Sequence, residues 1–251
     1  MARTSQREAA LGPNKTGIAT SPKDIAKMLA GMDSKLAMPS SEGDERGMAD
    51  IRTGYIETAE PVGSMPPPAT LKGAAKSGAK MMMGERPQVL LDKLGERLAV
   101  ERTATRLYDA LIAKFRAHPQ DPVTDEELVH IRNEEAKHFA LVGDCIEKLG
   151  GDPTAQTPCA DVAGVEALGL MQVITDPKTT IAQSLHAILI AELTDNAAWE
   201  DLITLADKMG QTDMIPDFEQ ALAHEAEHLA TVRSWLQALV AAESDLVKTK
   251  T

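Results

Sequence analysis

The stretch "EEAKH", Glu134 to His138, sets a Glu three residues before a His, and "HEAEH", His224 to His228, repeats that spacing at an offset of 90. Residues three apart on an α-helix lie about 60° apart on one face, so Glu135 and His138, and likewise Glu225 and His228, can reach one point. One such pair occurs by chance on many helix faces. Two copies in similar surroundings call for a wider comparison.

The repeat extends beyond these pairs. At an offset of 91, "ERTATRLYDALI" (Glu101 to Ile112) aligns with "ELTDNAAWEDLI" (Glu192 to Ile203), keeping Glu, Thr, an aromatic residue and Leu-Ile in register. Two copies of one helical hairpin, related by a pseudo-two-fold axis, account for both alignments. Periodicity near 3.6 predicts helices over Pro87–Ala117, Thr124–Leu149, Thr179–Met209 and Asp213–Val240, with Thr124 and Glu127 forming a capping box and Gly150-Gly151 and Gly210 closing helices. Short links make each pair an antiparallel hairpin. The stretch between the second and third helices, with its own short helix at Asp161–Thr175, is long enough to cross the bundle and return the third helix parallel to the second.

Along each helix the core stripe is apolar except near its middle, where Glu101; Glu135 and His138; Glu192 and Asp195; and Glu225 and His228 fall. Four ionised carboxylates buried together repel one another and forfeit hydration worth several kcal/mol apiece, so they must be protonated, paired or bound to metal. No Lys or Arg lies on the four stripes. Two divalent cations would balance four carboxylates, and two imidazoles would complete an oxygen-rich, nitrogen-poor shell suited to iron or manganese.

Composition divides the chain. Residues 1–84 carry seven of the 14 Pro and ten of the 17 Gly, with one aromatic, Tyr55, and read as a largely irregular extension with one short helix at Ser21–Leu29. Residues 85–245 form the bundle and 246–251 a tail. From Glu85 onward there are 15 Lys+Arg against 29 Asp+Glu, which speaks against nucleic acid as a partner. The longest apolar run, "LHAILIAEL", is too short to span a membrane, and no signal peptide opens the chain, so a cytoplasmic location is expected. Cys145 and Cys159 form no disulfide or zinc pattern and read as free thiols.

Glu101, Glu135, His138, Glu192, Glu225 and His228 together resemble the ferritin-like superfamily, in which two helices each give a Glu and two others each give Glu-x-x-His around a di-iron or di-manganese centre. The resemblance covers Glu85 to Val240. It implies an all-α four-helix bundle with those six residues as metal ligands and two iron, or manganese, ions as cofactors. Tyr108 resembles the Tyr that ferritins and rubrerythrins keep near the metals, which implies a catalytic role; core packing is the alternative for it and for Trp199. No Cys-x-x-Cys rubredoxin module accompanies the bundle. Where some oxygen-activating relatives carry an Asp just before the Glu of Glu-x-x-His, this chain has Glu134 and His224. Glu134 is placed to accept from His228, whereas His224 has no such simple assignment. Asp195 faces inward as a further supporting residue, His186 reads as structural, and Cys145 as an apolar filler.

The expected activity is that of a di-iron oxidoreductase acting on dioxygen or hydrogen peroxide, as a ferroxidase or a peroxide scavenger. The rivals are a di-manganese catalase-like enzyme, an iron-storage protein with little turnover, and a metal-free scaffold bundle. A homodimer is expected, and no residue names an electron donor.

Overall fold

The computed structural model describes residues 45–71 and 87–246, with positions 23, 26, 27, 30, 73 and 75. Its described elements are helices: α1 (Glu45–Thr58), α2 (Pro87–Ala117), α3 (Asp125–Leu149), α4 (Pro158–Thr175), α5 (Ile181–Lys208) and α6 (Ile215–Leu246). The contacts divide the chain into a unit containing Arg7–Pro61 and one containing Val62–Thr251. The expected helix at Ser21–Leu29 lies mainly outside the described residues, of which Lys23, Ala26 and Lys27 are helical. Helix α1, in the first unit, was not anticipated from the Pro- and Gly-rich composition around it. Its apolar residues Met48, Ile51, Tyr55 and Ile56 are exposed.

In the second unit, α2 starts and ends where the sequence predicts; the other bundle helices differ by one or two residues at their ends, except that α6 runs on to Leu246, six residues past the expected Val240. Thr124 caps α3 by accepting from the Glu127 backbone N–H, and Gly150 closes it in the left-handed conformation, φ 85°. The expected capping box there is only half formed, because the Glu127 carboxylate accepts from the Thr124 hydroxyl instead of the Thr124 backbone. The full reciprocal box stands at the start of α5, where Gln183 Oε1 accepts from the Thr180 N–H and Thr180 Oγ1 from the Gln183 N–H. Helix α4 begins at Pro158, earlier than Asp161, since Thr157 supplies the cap and Pro158 the first turn. Lys114 in the last turn of α2 donates to Asp176 O (3.0 Å) and Ser184 Oγ (2.9 Å), joining the end of α2 to the end of the crossover and the first turn of α5.

Two apolar clusters fix the helix directions. One unites the C-terminal half of α2 (Leu107, Leu111, Phe115) with the N-terminal halves of α3 (Leu128, Ile131) and α5 (Leu185, Ile188) and the C-terminal half of α6 (Val232, Trp235). The other unites the opposite halves: Leu94 and Leu98, Val142 and Cys145, Trp199 and Leu202, Phe218 and Ala221. Helices α2 and α3 are therefore antiparallel, as are α5 and α6, and the crossover returns α5 parallel to α3. Between the clusters lie Glu101, Glu135, His138, Glu192, Asp195, Glu225 and His228, all buried. The apolar stacks above and below exclude water from that layer and hold its side chains in place.

Helix α4 packs along α2 and touches α5. The approach is tight at Gly95, where an added Cβ would lie 2.5 Å from Thr157 Oγ1 and 2.6 Å from its Cγ2. Gly95→Ala is expected to destabilise the bundle by about 1–3 kcal/mol, because the buried Thr157 side chain, and the cap it gives α4, must shift to admit one methyl group. Urea unfolding followed by circular dichroism measures the loss.

Candidate metal centre

Each helix contributes to the polar layer from its middle. Glu101 follows Leu98 on α2 and Glu135 follows Ile131 on α3; Glu192 follows Ile188 on α5 and Glu225 follows Ala221 on α6, so the apolar periodicity that buries the neighbours buries the carboxylates too. Asn196 ties α5 to α6 at this level, its Nδ2 donating to Glu192 O (2.9 Å) and Glu225 O (3.0 Å).

The two imidazoles enter from opposite halves. His138 Nδ1 lies 2.7 Å from Glu225 Oε1 and 3.8 Å from Glu101 Oε2. His228 Nδ1 lies 3.2 Å from Glu135 Oε1, 3.4 Å from Glu225 Oε2 and 4.0 Å from Glu192 Oε2. Both rings thus turn Nδ1 toward the carboxylates and Nε2 away. His228 Nε2 is 2.9 Å from Glu134 Oε2, the partner expected from the sequence. His138 Nε2 is 3.3 Å from His224 Nδ1, with the rings stacked at 5.5 Å between centroids. His224 therefore occupies, in the second half, the place that Glu134 takes in the first.

Aromatic neighbours close the sides. The Tyr108 hydroxyl donates to Glu192 Oε1. Trp199, its counterpart in the repeat, is fully buried, meets His138 edge-on at 5.8 Å and keeps an indole N–H without a hydrogen-bond partner.

One buried cation reaches the layer although no Lys or Arg lies on the four stripes. Arg97, 2% exposed, places Nε 2.9 Å from Glu101 Oε1 and pairs through Nη2 with Asp195 Oδ1. It was missed because a narrow stripe of alternating threes and fours passes through Leu98. A helix buried on several sides presents a face wide enough to include the adjacent residue, and Arg97 stands four before Glu101, the spacing of an ion pair. Arg97 offsets the charge of Asp195 and leaves the four Glu without a full complement of cations. Asn196 carried no signal in its spacing. His186, read as structural, is exposed, while Cys145 is buried in the apolar cluster as expected.

Burial dominates the proton affinities. It pushes Glu192 up to about 8, with the Glu225 charge adding to the rise. Burial also raises Glu101 and carries Glu135 well above the carboxylate range. For Glu225, burial is outweighed by the hydrogen bonds to His138 and His228, which hold it down to about 2. Burial opposes the charge on His228, but Glu135 and Glu225 outweigh it and raise the imidazole to about 11. Burial, aided by the Glu192 charge, keeps Tyr108 a phenol.

Both carboxylate oxygens of Glu101, Glu135 and Glu225, Oε2 of Glu192 and Nδ1 of both histidines are buried without a well-aligned hydrogen bond, although Arg97 and the two imidazoles lie within ion-pair distance of several of these oxygens. Such atoms are costly unless something else satisfies them. They form two overlapping groups, Glu101, Glu135, His138, Glu225 and Glu135, Glu192, Glu225, His228, with the donor atoms of each within 4.8 Å of one another. Glu135 and Glu225 belong to both. Oxygen-rich donor sets with one imidazole each fit divalent cations such as iron or manganese.

A family model described as "Ferritin-like domain" matches residues 91–241. No curated protein and no solved structure gives a significant match to the chain. The matched span takes in most of the four bundle helices, the crossover and the whole buried layer, so the chain belongs to the ferritin-like family.

Proposed function

We propose that the chain holds two metal ions, iron foremost, and acts on dioxygen or hydrogen peroxide as a ferroxidase or peroxide-scavenging oxidoreductase. The observation that carries this is the pair of overlapping donor groups sharing Glu135 and Glu225, four buried carboxylates whose oxygens are mostly without well-aligned hydrogen bonds. Glu101 and His138 would serve one position, Glu192 and His228 the other. Bound iron would supply electrons to the oxidant and orient it.

The chain's own residues supply the rest. Glu134 orients the His228 ring and Tyr108 steadies one oxygen of Glu192, leaving the other turned to the layer. With its carboxyl near 8 when free of metal, Glu192 gives up a proton as a cation enters. The apolar clusters keep bulk water from the layer. The same donors suit manganese, so a di-manganese catalase-like activity is the second reading. A homodimer is the proposed assembly.

The test is anaerobic reconstitution with Fe(II), followed by dioxygen or hydrogen peroxide while ferric absorption is recorded. Wild type is expected to take up two irons per chain and to develop the absorption, and Glu101→Ala with Glu192→Ala to lose both. Unchanged metal content in the double variant would contradict the site. Iron uptake with no response to either oxidant would contradict the activity.

A further inference from the structure

The repeat makes the two halves of the layer nearly equivalent in the residues that face the metals, but their supports differ. On the Glu192 side, His228 is backed by a carboxylate, Glu134, at 2.9 Å. On the Glu101 side, His138 is backed by another imidazole, His224, at 3.3 Å. A carboxylate behind an imidazole raises its basicity as a ligand, whereas a second imidazole adds no negative charge. Glu101 also shares Oε1 with the buried guanidinium of Arg97 at 2.9 Å. The aligned residue near Glu192 is Ile188, a fully buried hydrocarbon. One difference runs the other way, since Tyr108 donates to Glu192. That donor is neutral, whereas Arg97 sets a full positive charge against Glu101 as an ion pair, and contacts to a charged group are the stronger.

We infer that the two metal positions are unequal. The position of Glu192 and His228 fills first and holds its ion tightly; that of Glu101 and His138 fills second and exchanges, because Arg97 competes for Glu101 and His224 stands where a carboxylate would strengthen the ligand. Arg97 and His224 are thus positioning residues that set the order of loading. An ion in the second position would be the one delivered or withdrawn, while the first stays in place. This inference rests on the di-metal reading and adds to it a division of labour that the sequence repeat alone would deny.

The test uses the full chain and Mn(II) alone. Competition titration of the metal-free protein is expected to show two steps separated by about 10–100-fold in affinity, the range over which such supporting residues act. Anomalous scattering from crystals given one equivalent of Mn(II) should locate the ion beside Glu192 and His228. His224→Glu, a change at a half-buried position, should tighten the second step by about tenfold and leave the first in place. Glu134→Gln should weaken the first step selectively. Arg97→Leu alone would leave Asp195 unpaired and threaten the fold. Arg97→Leu combined with Asp195→Asn removes both charges, and it should tighten the second step. Selective movement of one step, with helicity unchanged, is a result that a merely structural role would not give. Two equal steps, a first ion beside Glu101 and His138, or a shift of the first step by His224→Glu would overturn the inference while leaving the di-metal reading standing. Absence of any saturable Mn(II) binding would remove both.

Discussion

Glu135→Gln combined with Glu225→Gln is expected to take the chain from two bound metal ions to none. These residues alone belong to both donor groups, so neutralising them strips each position of two of its four donors' charge. An amide oxygen is a weak substitute for a carboxylate toward a hard cation. The substitution conserves volume, so the apolar clusters on either side keep their packing. The metal-free variant should stay folded with a modestly lower melting temperature, because relief of the crowding among four buried carboxylates is set against the lost pairing of Glu135 and Glu225 with His138 and His228. Elemental analysis and thermal melts monitored by circular dichroism read both quantities. Retained metal would show that the ions bind elsewhere, and a collapse in melting temperature would show that the four Glu are structural.

The second large effect is on pH dependence. Without metal, Glu192 titrates at about 8, Glu101 and Glu135 are also raised, and His228 titrates at about 11. In the unfolded chain these groups titrate at about 4.3 for Glu and 6.5 for His. Between those values the folded chain holds more protons than the unfolded one, so the stability of the metal-free protein falls as pH rises from about 5 to 8. Glu225, held down to about 2, acts in the opposite sense: its contribution is present above the unfolded value and is lost as pH falls toward 2. The metal-free optimum should therefore lie in the mildly acidic range.

Metal reverses the trend. Cations compete with the protons on the carboxyls, so affinity rises with pH and loading releases protons. At free metal near a thousand times the dissociation constant the gain is about 4 kcal/mol per site, a rise on the order of 10 °C in melting temperature for a chain of this size. Melts at pH 5, 6.5 and 8, with chelator and with excess Mn(II), should show a falling series and a flat or rising one. A metal-free series that rises with pH would contradict the proton affinities derived from burial.

The bundle was legible because apolar periodicity, caps and link lengths agree with one another. Pro87–Ala117 follows from that agreement alone. Pro158 was available as a first-turn residue behind Thr157, but the apolar pattern of α4 becomes plain only further on, so its start was placed late. Helix α1 was hidden because ERGMADIRTGYIET sits within a composition that argues against order.

The six facing residues were legible for a related reason, since buried charge at helical spacing is rare and here it repeats. Their supports were less so. Arg97 lies beside the apolar stripe, and its burial depends on how closely α5 brings Asp195 to α2, which no single-helix pattern reports. The partner of His224 depends on which way the His138 ring turns, a choice made by Glu225 on another helix. Asn196 bridges two carbonyls whose distance is set only when α5 and α6 pack together.

The most direct measurement is anaerobic titration of the chelator-treated full chain with Fe(II), counting bound ions by elemental analysis after gel filtration and locating them by anomalous diffraction. The expected result is saturation at two ions per chain, both within the layer bounded by Glu101, Glu135, Glu192 and Glu225. No retained iron, or iron bound only outside that layer, would contradict the assignment of these buried carboxylates as a metal centre.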